Sequence, residues 1–507
     1  MEAKRGTIYD RNGNALAVSV DCTTIYCNPQ EVSDPQKAAD ILAQDLGGSA
    51  SSYLKPIRQD TTFSYVSRKV DTSKADKAKD DLRDEGIAGF YYLNDSKRTY
   101  PYGNVGGQVL GIVGVDGDGL TGLELYYNDV LSGKDGEMTV ETGADGTPIA
   151  GGISTTSDAS NGTDIVISLD VDVQQAAETA IKQGVEDYKA DSGSVMVTDP
   201  KTGEILAACS TPLLNITDTS TVEEGATALK PVSASYEPGS IFKLLTMSIG
   251  IENGLITPES SYNVPAKVKV GDDYVGDDDG RSVTQAMTVR EILRRSSNAG
   301  SAMVAQRIIG ARRFADGIDR FGIGHTTGID YPGETTGMVK TIDQYNGASL
   351  GAMSFGQSLA IPMVQMVKAV GSIANGGVLE TPHFLLSKGG EKVSWESPGS
   401  SISPETASQV TDMMRTVVQE GTAKNAQVKG YDIAGKTGTG EQADETGGYA
   451  EGKFVSSLIG FAPADDAGVL VYVGLNGTPY LAYSSSAHVF STVMSAALTN
   501  SDIQPSQ

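Results

Sequence analysis

Histidine is scarce in this 507-residue sequence, which has only three. His325, His383 and His488 lie in loop-like or helical contexts, without an acid at a spacing typical of a Ser-His-Asp triad. The sequence also has no HExxH motif, no CxxC pair and no carboxylate cluster with the spacing of metal ligands. We therefore predict no histidine triad, no metal site and no cofactor.

Cysteine is equally scarce, and three residues are too few for a disulfide framework. Cys22 and Cys27 are an odd number of positions apart, which in a strand directs the two side chains to opposite faces. We predict that these two cysteines neither pair nor share a metal ion. All three, including Cys209, are interpreted as buried thiols.

Long apolar runs and an excess of positive charge are also missing. No run of about 18 apolar residues is present, so the sequence as given predicts no membrane-spanning helix. The formal net charge is −25, from 64 acidic residues against 39 Lys plus Arg. Such a surface repels a phosphate backbone, which argues against nucleic acid as a partner.

Glycine and short apolar segments are plentiful, and the length predicts two or more domains. Residues 1–160 are dense in Asn-Gly and Asp-Gly turn signals, which predict short strands with a few helices. A linker is predicted over Gly151–Gly162, where Ser, Thr, Gly, Asp and Asn dominate. Residues 161–502 then form the second predicted domain.

In this second domain, predicted strands lie at both ends of a mostly helical segment. Val195–Thr198 and Ile205–Ala208 predict one hairpin, and Phe454–Ala462 and Val469–Leu475 predict a second apolar pair. The helical patterns between these pairs cover Ile241–Asn253, Val289–Arg295, Ala299–Ile309, Pro362–Ala374 and Pro404–Gln419. This order predicts an α+β fold with one antiparallel sheet and a helical subdomain. A final helix, Ala487–Thr499, is predicted to pack on that sheet.

The most informative segment is Tyr236-Glu-Pro-Gly-Ser-Ile-Phe-Lys243, which puts a hydroxyl nucleophile, Ser240, three positions before a lysine. In a helix these two side chains share one face. Pro238 and the apolar run after Ser240 predict a helix that begins close to Ser240 and aims free N–H groups at the group that Ser240 attacks. With no histidine base predicted, Lys243 becomes the candidate base.

Two further motifs follow in the chain, Ser296-Ser-Asn298 and Lys436-Thr-Gly438. With Ser240 and Lys243 they form the trio typical of serine β-lactamases and penicillin-binding proteins, with Ser-Ser-Asn where that signature has Ser-Asp-Asn. Isolated copies of the three motifs occur at Ser52–Lys55, Ser261–Asn263 and Lys201–Gly203. Context favours the trio, because Ser296–Asn298 separates two helical patterns and Lys436–Gly438 fits an edge strand of the sheet.

Gly430-Tyr-Asp-Ile-Ala-Gly-Lys-Thr437 also matches the phosphate-binding pattern G-x-x-x-x-G-K-[ST]. That site needs a helix that begins at the lysine. The residues after Lys436, through Asp444-Glu-Thr-Gly-Gly448, do not predict a helix, and only 70 residues remain for a nucleotide-binding domain. Nucleotide binding is therefore the less favoured alternative.

A lysine acts as a base only when its pKa is depressed, and burial or a second cation depresses it. We predict that Lys243 lies beneath the sheet with Lys436 close to it. Ser296 is predicted to relay a proton from a lysine to the leaving amine, and Asn298 to hold the substrate amide.

The strand residues next to Lys436 are candidates for substrate binding. Thr437 and Thr439 offer hydroxyls to a substrate carboxylate, with Gly438 between them. Backbone N–H groups of Ser240 and Thr439 form the predicted oxyanion hole. This set of residues indicates acyl transfer on a peptide that ends in a carboxylate.

These motifs, and others along almost the full length, resemble those of class B penicillin-binding proteins, the monofunctional D,D-transpeptidases that cross-link peptidoglycan. The N-terminal motifs that carry the resemblance are Arg5-Gly-Thr-Ile-Tyr-Asp-Arg-Asn-Gly13 with Leu16-Ala17, Arg98-Thr-Tyr-Pro-Tyr-Gly103, and Gly122-Leu-Glu124 with Tyr126 and Leu131. Those of the second domain are Tyr236–Lys243, Ser354-Phe-Gly-Gln357, Glu420-Gly-Thr-Ala423 and Lys436-Thr-Gly-Thr-Gly440. The N-terminal set is most similar to enzymes of the division septum or the spore cortex.

The resemblance implies an architecture and a location. Residues 1–160 would form an elongated, non-catalytic pedestal or dimerisation-type domain of short strands and helices. Residues 161–502 would form the transpeptidase domain, with a five-stranded antiparallel sheet flanked by helices and an all-helical subdomain. The protein would work at the extracytoplasmic face of the bacterial membrane, with an N-terminal anchor missing from this sequence, and its pedestal would contact a polytopic glycan polymerase.

The resemblance also implies a reaction. Ser240 would attack the penultimate D-Ala of a D-Ala-D-Ala stem peptide and pass the acyl group to an amine on a neighbouring stem. β-Lactams would acylate Ser240 stably. Three alternatives use the same residues: a D,D-carboxypeptidase, a class D-like β-lactamase or β-lactam sensor, and a penicillin-binding scaffold of the division or sporulation machinery.

Overall fold

The computed structural model of the protein describes residues 3–140, 154–443 and 449–505. The α+β class predicted from the sequence is confirmed, and two sheets organise the chain. No helix among the described residues has both the length and the apolar character needed to cross a membrane.

The N-terminal region is built from short elements around one long strand. Its strands are β1 (Ile8–Tyr9), β2 (Ala15–Cys27), β3 (Ser64–Val70), β4 (Phe90–Thr99), β5 (Met138–Val140) and β6 (Ser154–Thr156). Its helices are α1 (Pro35–Leu46), α2 (Ala50–Ile57), α3 (Thr72–Asp84), α4 (Gly107–Leu110), α5 (Gly122–Tyr126) and α6 (Asn128–Leu131). β2 pairs with β4 from Val18 to Cys27, and Cys27 packs with apolar residues of α1 and α3 in a small core. All three cysteines of the chain are buried, as predicted.

The three N-terminal motifs converge on one buried carboxylate. Glu124 is fully buried and accepts hydrogen bonds from the guanidinium groups of Arg5 and Arg98. Arg98 also donates to the Gly6 carbonyl at 2.8 Å. Because a buried charge is tolerated only when it is paired, this cluster gives the three motifs one shared structural role.

The predicted linker is more structured than its composition indicates. Residues 151–153 lie outside the described residues, but from Ser154 to Thr156 the chain forms β6, which pairs with β5. The Ser160 N–H then donates to the Lys134 carbonyl at 2.8 Å. Threonine favours strands, so a polar Ser/Thr stretch becomes a strand where a partner strand is available.

One sheet connects residues on both sides of the predicted boundary at 160. Its additional strands are β7 (Ile165–Ile167), β17 (Leu385–Lys388) and β18 (Glu391–Lys392). β7 pairs in parallel with β1 and antiparallel with β17, giving the order β18-β17-β7-β1-β2-β3, with β4 on the other edge of β2. The division at residue 160 therefore stays a prediction, within a sheet that spans it.

The second sheet has five antiparallel strands, as predicted, in the order β20-β21-β22-β8-β9. These strands are β8 (Ser192–Thr198), β9 (Ile205–Ser210), β20 (Ala434–Ala443), β21 (Tyr449–Ala462) and β22 (Val469–Thr478). β8 and β22 are almost entirely buried, which accounts for the apolar runs Val195–Val197 and Val469–Val473 within them. The helices α7 (Val171–Asp187) and α16 (Ser486–Asn500) pack on this sheet.

Between β9 and β20 the chain is mainly helical. The helices are α8 (Lys230–Ser233), α9 (Lys243–Glu252), α10 (Val289–Arg294), α11 (Asn298–Val304), α12 (Ala311–Arg320), α13 (Ser349–Met353), α14 (Met363–Ala374) and α15 (Pro404–Glu420). The short strands are β10 (Ser235–Tyr236) with β15 (Ile361–Pro362), β11 (Ser261–Val264) with β14 (Gln285–Thr288), β12 (Lys267–Val270) with β13 (Asp273–Gly276), and β16 (Val378–Leu379) with β19 (Gly399–Ser400). The predicted helical subdomain thus also carries small two-stranded ribbons. α9 is buried from Lys243 to Ile251, so it crosses the core.

Candidate active site

Ser240 lies at the entrance to the buried helix α9. It belongs to a 3₁₀ turn, Gly239–Phe242, and α9 begins at Lys243, three residues after the serine. In a 3₁₀ turn, positions i and i+3 are eclipsed, so the two side chains share a face, as predicted. The Lys243 Nζ lies 2.7 Å from the Ser240 Oγ, within hydrogen-bonding distance.

Ser296 and Asn298 reach the same lysine from a turn between α10 and α11. The Lys243 Nζ lies 3.1 Å from the Ser296 Oγ, 2.6 Å from the Ser296 carbonyl and 2.6 Å from the Asn298 Oδ1. Ser296 has a φ of +60°, a conformation that few residues with a side chain adopt. The turn therefore presents three oxygen atoms to one amine.

Lys436 approaches from the edge strand β20. Its Nζ donates to the Ser296 Oγ at 2.9 Å and to the Thr437 carbonyl at 2.8 Å. The hydroxyl of Ser296 thus lies between the amines of Lys436 and Lys243. This arrangement offers a continuous path for a proton from Ser240 through Lys243 and Ser296 to Lys436.

The environment depresses the pKa of both lysines. Lys243 is fully buried, and burial lowers its pKa to about 7, against the opposing charges of Asp278 and Asp277. Burial also lowers the pKa of Lys436 well below its usual range, helped by the nearby charge of Lys243. Because the charged form is disfavoured in this interior, a neutral amine beside Ser240 is accessible near neutral pH.

Thr437, Gly438 and Thr439 lie side by side on β20. The Thr437 Oγ1 is 2.6 Å from the hydroxyl of Thr422, a residue of the Glu420–Ala423 motif to which the sequence analysis assigned no role. A side chain on Gly438 would meet the Ser457 Oγ at 2.4 Å and the Pro238 carbonyl at 3.1 Å. Glycine at 438 therefore lets the strand approach the turn that carries Ser240.

Thr439 also lies close to that turn. Gly239, next to Ser240, has a φ of +59°, and a Cβ built on it would be 3.2 Å from the Thr439 carbonyl oxygen. The backbones of residues 239 and 439 are therefore neighbours. Five of the predicted residues converge directly, and Thr437, Gly438 and Thr439 border them.

The isolated motif copies lie in other surroundings. The Ser52 hydroxyl donates to the Ser49 carbonyl on the exposed helix α2, Ser261 is on the ribbon strand β11, and Lys201 lies in the β8–β9 turn and pairs with Asp466. Among the histidines, His325 has an acid partner that the sequence analysis did not predict, Asp319, but both side chains are exposed.

The phosphate-binding alternative is contradicted by the structure. That pattern needs a helix that begins at Lys436, but Lys436 lies inside the strand β20, which runs from Ala434 to Ala443. Residues 444–448, which also entered the sequence argument, lie outside the described residues. A lysine in an extended edge strand does not cap a phosphate loop, so this alternative is wrong.

Sequence reasoning missed two acids near the site. Asp277 contacts Ser297 and Ala299, and the charges of Asp277 and Asp278 act on Lys243. The available signal was a run of three aspartates between a strand and the Ser296 motif, which reads as an ordinary solvated turn. Only the fold brings these acids to the lysine.

Comparison with known proteins gives matches along the chain. A family model described as "Penicillin binding protein transpeptidase domain" matches residues 193–495, and one described as "Penicillin-binding Protein dimerisation domain" matches residues 1–167. The chain is 31% identical to stage V sporulation protein D of Bacillus subtilis (strain 168) over 527 residues, with 99% of this chain and 79% of that protein covered.

Two further relatives agree with these matches. The chain is 28% identical to peptidoglycan D,D-transpeptidase FtsI of Escherichia coli (strain K12), with 100% of this chain and 85% of that protein covered. The crystal structure of Penicillin Binding Protein 2X from Streptococcus thermophilus aligns with a TM-score of 0.81 at 28% identity, covering 100% of this chain and 80% of that chain. The chain therefore belongs to the class B penicillin-binding proteins.

Proposed function

We propose that this protein is a serine acyltransferase that cross-links peptidoglycan stem peptides ending in D-Ala-D-Ala. The observation that carries the proposal is the buried Lys243 amine, 2.7 Å from the Ser240 Oγ and with a pKa lowered to about 7. A nucleophile with a neutral base in contact is what acyl transfer requires. Membership of a family whose relatives include a named peptidoglycan D,D-transpeptidase supports the same reaction.

The acylation step begins at Ser240. Lys243, in its neutral form, takes the hydroxyl proton while the Ser240 Oγ forms a bond to the carbonyl carbon of the penultimate D-Ala. The C–N bond to the terminal D-Ala then breaks. Ser296 passes a proton from Lys243 or Lys436 to the departing amine, which leaves as free D-Ala. The product is an ester between Ser240 and the shortened stem peptide.

The second step reverses these roles. An amine of a neighbouring stem attacks the ester carbonyl and loses a proton through the same lysine and serine groups. The bond to the Ser240 Oγ breaks, the hydroxyl recovers its proton, and the two stems are joined by a new amide. The step requires no oxidant, reductant or metal ion.

The remaining residues are proposed to bind and orient the substrate. Asn298 holds the stem amide, and Thr437 and Thr439 donate hydroxyl hydrogen bonds to the terminal carboxylate. Gly438 keeps the strand close enough for that contact. The negative charge of the terminal carboxylate favours the protonated form of Lys436, against the burial that lowers its pKa. The N–H groups of Ser240 and Thr439 stabilise the oxyanion, in keeping with the close approach of residues 239 and 439.

A β-lactam would acylate the same oxygen, and this gives the test. We expect the intact mass of the wild type to increase by one penicillin on incubation, and that of Ser240→Ala to stay unchanged. Ser52→Ala, which removes the serine of the isolated motif copy, is the matched control and should still be labelled. The absence of an adduct on the wild type would refute the proposal.

The lifetime of the adduct, together with turnover of a stem-peptide substrate, separates the alternatives. A class D-like β-lactamase would lose the adduct within minutes, because water hydrolyses it. A D,D-carboxypeptidase would release D-Ala from a stem-peptide substrate without forming a cross-linked product when an acceptor amine is present. A scaffold would bind partners without turnover. We expect a stable adduct and an amine-dependent cross-linked product.

We further propose that residues 1–160 act as a pedestal and residues 161–502 as the transpeptidase domain. The dimerisation-domain match over residues 1–167 supports the role of the first region. Membrane anchoring at the extracytoplasmic face, and contact of the pedestal with a polytopic glycan polymerase, are the arrangement proposed for the native protein. Co-elution of the full chain with a purified polymerase in detergent would test the contact, and its absence would refute this part of the proposal.

A further inference from the structure

Ser296, the serine between the two lysines, lies in the cap that ends α10: its N–H donates to the Leu293 carbonyl at 3.0 Å, and the Ser297 N–H donates to the Ile292 carbonyl at 2.9 Å. α10 ends at Arg294 and α11 begins at Asn298, and Ser296 between them has a φ of +60°. A residue with a side chain stays in this region only where surrounding contacts hold it there. This cap fixes Ser296 to α10, but neither of its two hydrogen bonds involves Asn298.

Asp277, in the loop after β13, contacts this turn at two points. Its carboxylate accepts hydrogen bonds from the Ser297 hydroxyl, at 2.9 Å and 2.8 Å to the two oxygens, and from the Ala299 N–H at 3.0 Å. The Ser297 Oγ in turn accepts from the Gly300 N–H at 2.9 Å and so caps α11. The residues on both sides of Asn298 are thus bonded to one carboxylate.

The Asp277 carboxylate is in turn held by an ion pair with Arg281. The Arg281 Nε donates to the Asp277 Oδ2 at 2.9 Å, and these side chains are only 8% and 7% exposed. The Nη1 of Arg281 donates to the carbonyls of Val264 and Val283 at 3.0 Å and 2.9 Å, and the Nη2 donates to the Pro265 carbonyl at 2.7 Å. A buried guanidinium and carboxylate satisfied in this way form a rigid unit.

We infer that Asp277 is a positioning residue of the active site, which holds the Ser296–Asn298 turn so that both of its polar side chains reach Lys243. The inference rests on the proposed function. Asp277 acts through Ser297 and Ala299, whose bonds to it fix the turn on either side of Asn298. The distances of 3.1 Å and 2.6 Å from the Lys243 Nζ to the Ser296 Oγ and Asn298 Oδ1 are the geometry that it maintains.

The charge of Asp277 also acts on the lysine. Among the described residues, the charges that interact with Lys243 are those of Lys436 on β20 and of the carboxylates of Asp277 and Asp278. Both carboxylates raise the pKa of Lys243 and oppose the burial that lowers it to about 7. Loss of the Asp277 charge therefore lowers the pKa of Lys243 further. The acid limb of the pH–rate profile, the range in which the acylation rate rises as Lys243 loses its proton, then moves to lower pH.

The test measures the penicillin acylation rate constant against pH for two variants of Asp277. Asp277→Asn keeps the size but removes the charge, and we expect a plateau rate at least tenfold lower and an acid limb shifted to lower pH. Asp277→Glu keeps the charge but displaces the carboxylate, and we expect a similar loss of plateau rate with the acid limb where the wild type has it. In both variants the loss in the acylation rate constant should exceed the loss of penicillin affinity before acylation, to which a displaced Asn298 contributes.

The matched control is Asp273→Asn, which removes the same charge from an exposed aspartate of the same ribbon. It should acylate within about twofold of the wild type, with an unmoved acid limb. Wild-type rates for Asp277→Asn, or an equal loss in both Asp277 variants with no shift of the acid limb, would overturn the inference. Failure of the wild type to acylate would instead refute the proposed function on which it rests.

Discussion

A primary amine activates a serine hydroxyl that it contacts only when the amine is neutral. For Lys243, burial sets the protonation state of the amine. The side chain is fully buried and its pKa is lowered to about 7, so the protonated form predominates below that pH and the neutral form above it. The serine is therefore activated by the interior of the protein, without any histidine.

This predicts the pH dependence of acylation. The rate constant for penicillin acylation should rise with pH through an apparent pKa of about 7, because acylation needs the neutral amine. Stopped-flow fluorescence between pH 5 and pH 9 would measure it. Lys55→Met, which alters the exposed lysine of the isolated motif copy, should leave the profile unchanged. A rate that is flat between pH 5 and pH 7 would contradict the role of Lys243.

The second prediction concerns Gly438, because a larger residue would clash at this position of β20. Gly438→Ala would put a Cβ 2.4 Å from the Ser457 Oγ and 3.1 Å from the Pro238 carbonyl, which forces the strand away from Ser240. We expect about 1–3 kcal/mol of lost stability, typical of overpacking, and a marked loss of acylation. Thermal unfolding and acylation rate would measure the two effects.

Gly440→Ala is the matched control on the same strand, since its Cβ would lie 3.8 Å from the Glu237 carbonyl, an ordinary contact. It should change both quantities little. The double variant Gly438→Ala with Ser457→Ala should recover only part of the activity, because the Pro238 carbonyl belongs to the backbone and cannot turn aside. Equal effects of the two single alanine variants would contradict the steric argument.

The sequence was sufficient to predict the residues that meet at Lys243, but not those that hold them in place. Order and spacing separated Ser240 and Lys436 from their isolated copies, because three motifs together are far rarer than one. Thr422 and Asp277 belong to common residue types without a distinctive spacing. The positive φ of Ser296 belongs to the C-terminal cap of α10, and this position has serine in place of the glycine that usually signals such a cap.

Among the secondary structure elements, local patterns predicted those whose partners are close in the chain. The β8–β9 hairpin and the β21–β22 pair follow from apolar runs around short turns, and both are present. The parallel pairing of β7 with β1 was not predicted, because it joins residues more than 150 positions apart. Nothing in a local pattern specifies a partner at that separation.

The third prediction concerns the buried Glu124 of α5, on which the stability of the N-terminal elements depends. Glu124→Ala would leave the guanidinium groups of Arg5 and Arg98 buried without a carboxylate, and their side chains are only 6% and 5% exposed. We expect a loss of about 3–5 kcal/mol, as for other broken buried pairs. Denaturant unfolding followed by tyrosine fluorescence would measure it.

Glu85→Ala is the comparison, because its ion pair with Lys37 is about half exposed on both sides. Removing this surface pair should cost less than about 1 kcal/mol. If the two variants lost the same stability, the N-terminal motifs would not depend on a buried charge cluster.

Taken as one molecule, the chain joins its N-terminal region to the transpeptidase region by buried polar contacts. The side-chain amide of Gln108 accepts from the Ser210 N–H at 2.8 Å and donates to the Ala226 carbonyl at 2.9 Å. The Tyr127 hydroxyl donates to the buried Asp330 at 2.6 Å. Because breaking such contacts leaves buried groups without partners, the two regions are expected to unfold together.

The last prediction concerns Glu178, which lies at this junction. Its Oε1 accepts from the Gly106 N–H at 2.9 Å and from the Gln174 amide at 2.8 Å. Burial raises the pKa of this carboxyl from an ordinary value near 4.5 to about 7. The unfolded chain therefore releases this proton at lower pH than the folded protein, so the contribution of Glu178 to stability falls as pH rises from about 4.5 to 7 and is constant above.

Glu178→Gln keeps the Oε1 acceptor and carries no charge at any pH, so it should be more stable than the wild type at pH 8. We expect a gain of roughly 1–2 kcal/mol, less than the full shift would give because the side chain is only partly buried, and a smaller gain at pH 5. Thermal unfolding of both proteins at the two pH values would measure the difference. Glu186→Gln, an exposed change on the same helix, should shift the midpoint equally at both pH values. If the stability gained by Glu178→Gln over the wild type did not increase between pH 5 and pH 8, burial of the Glu178 carboxylate would not destabilise the folded protein.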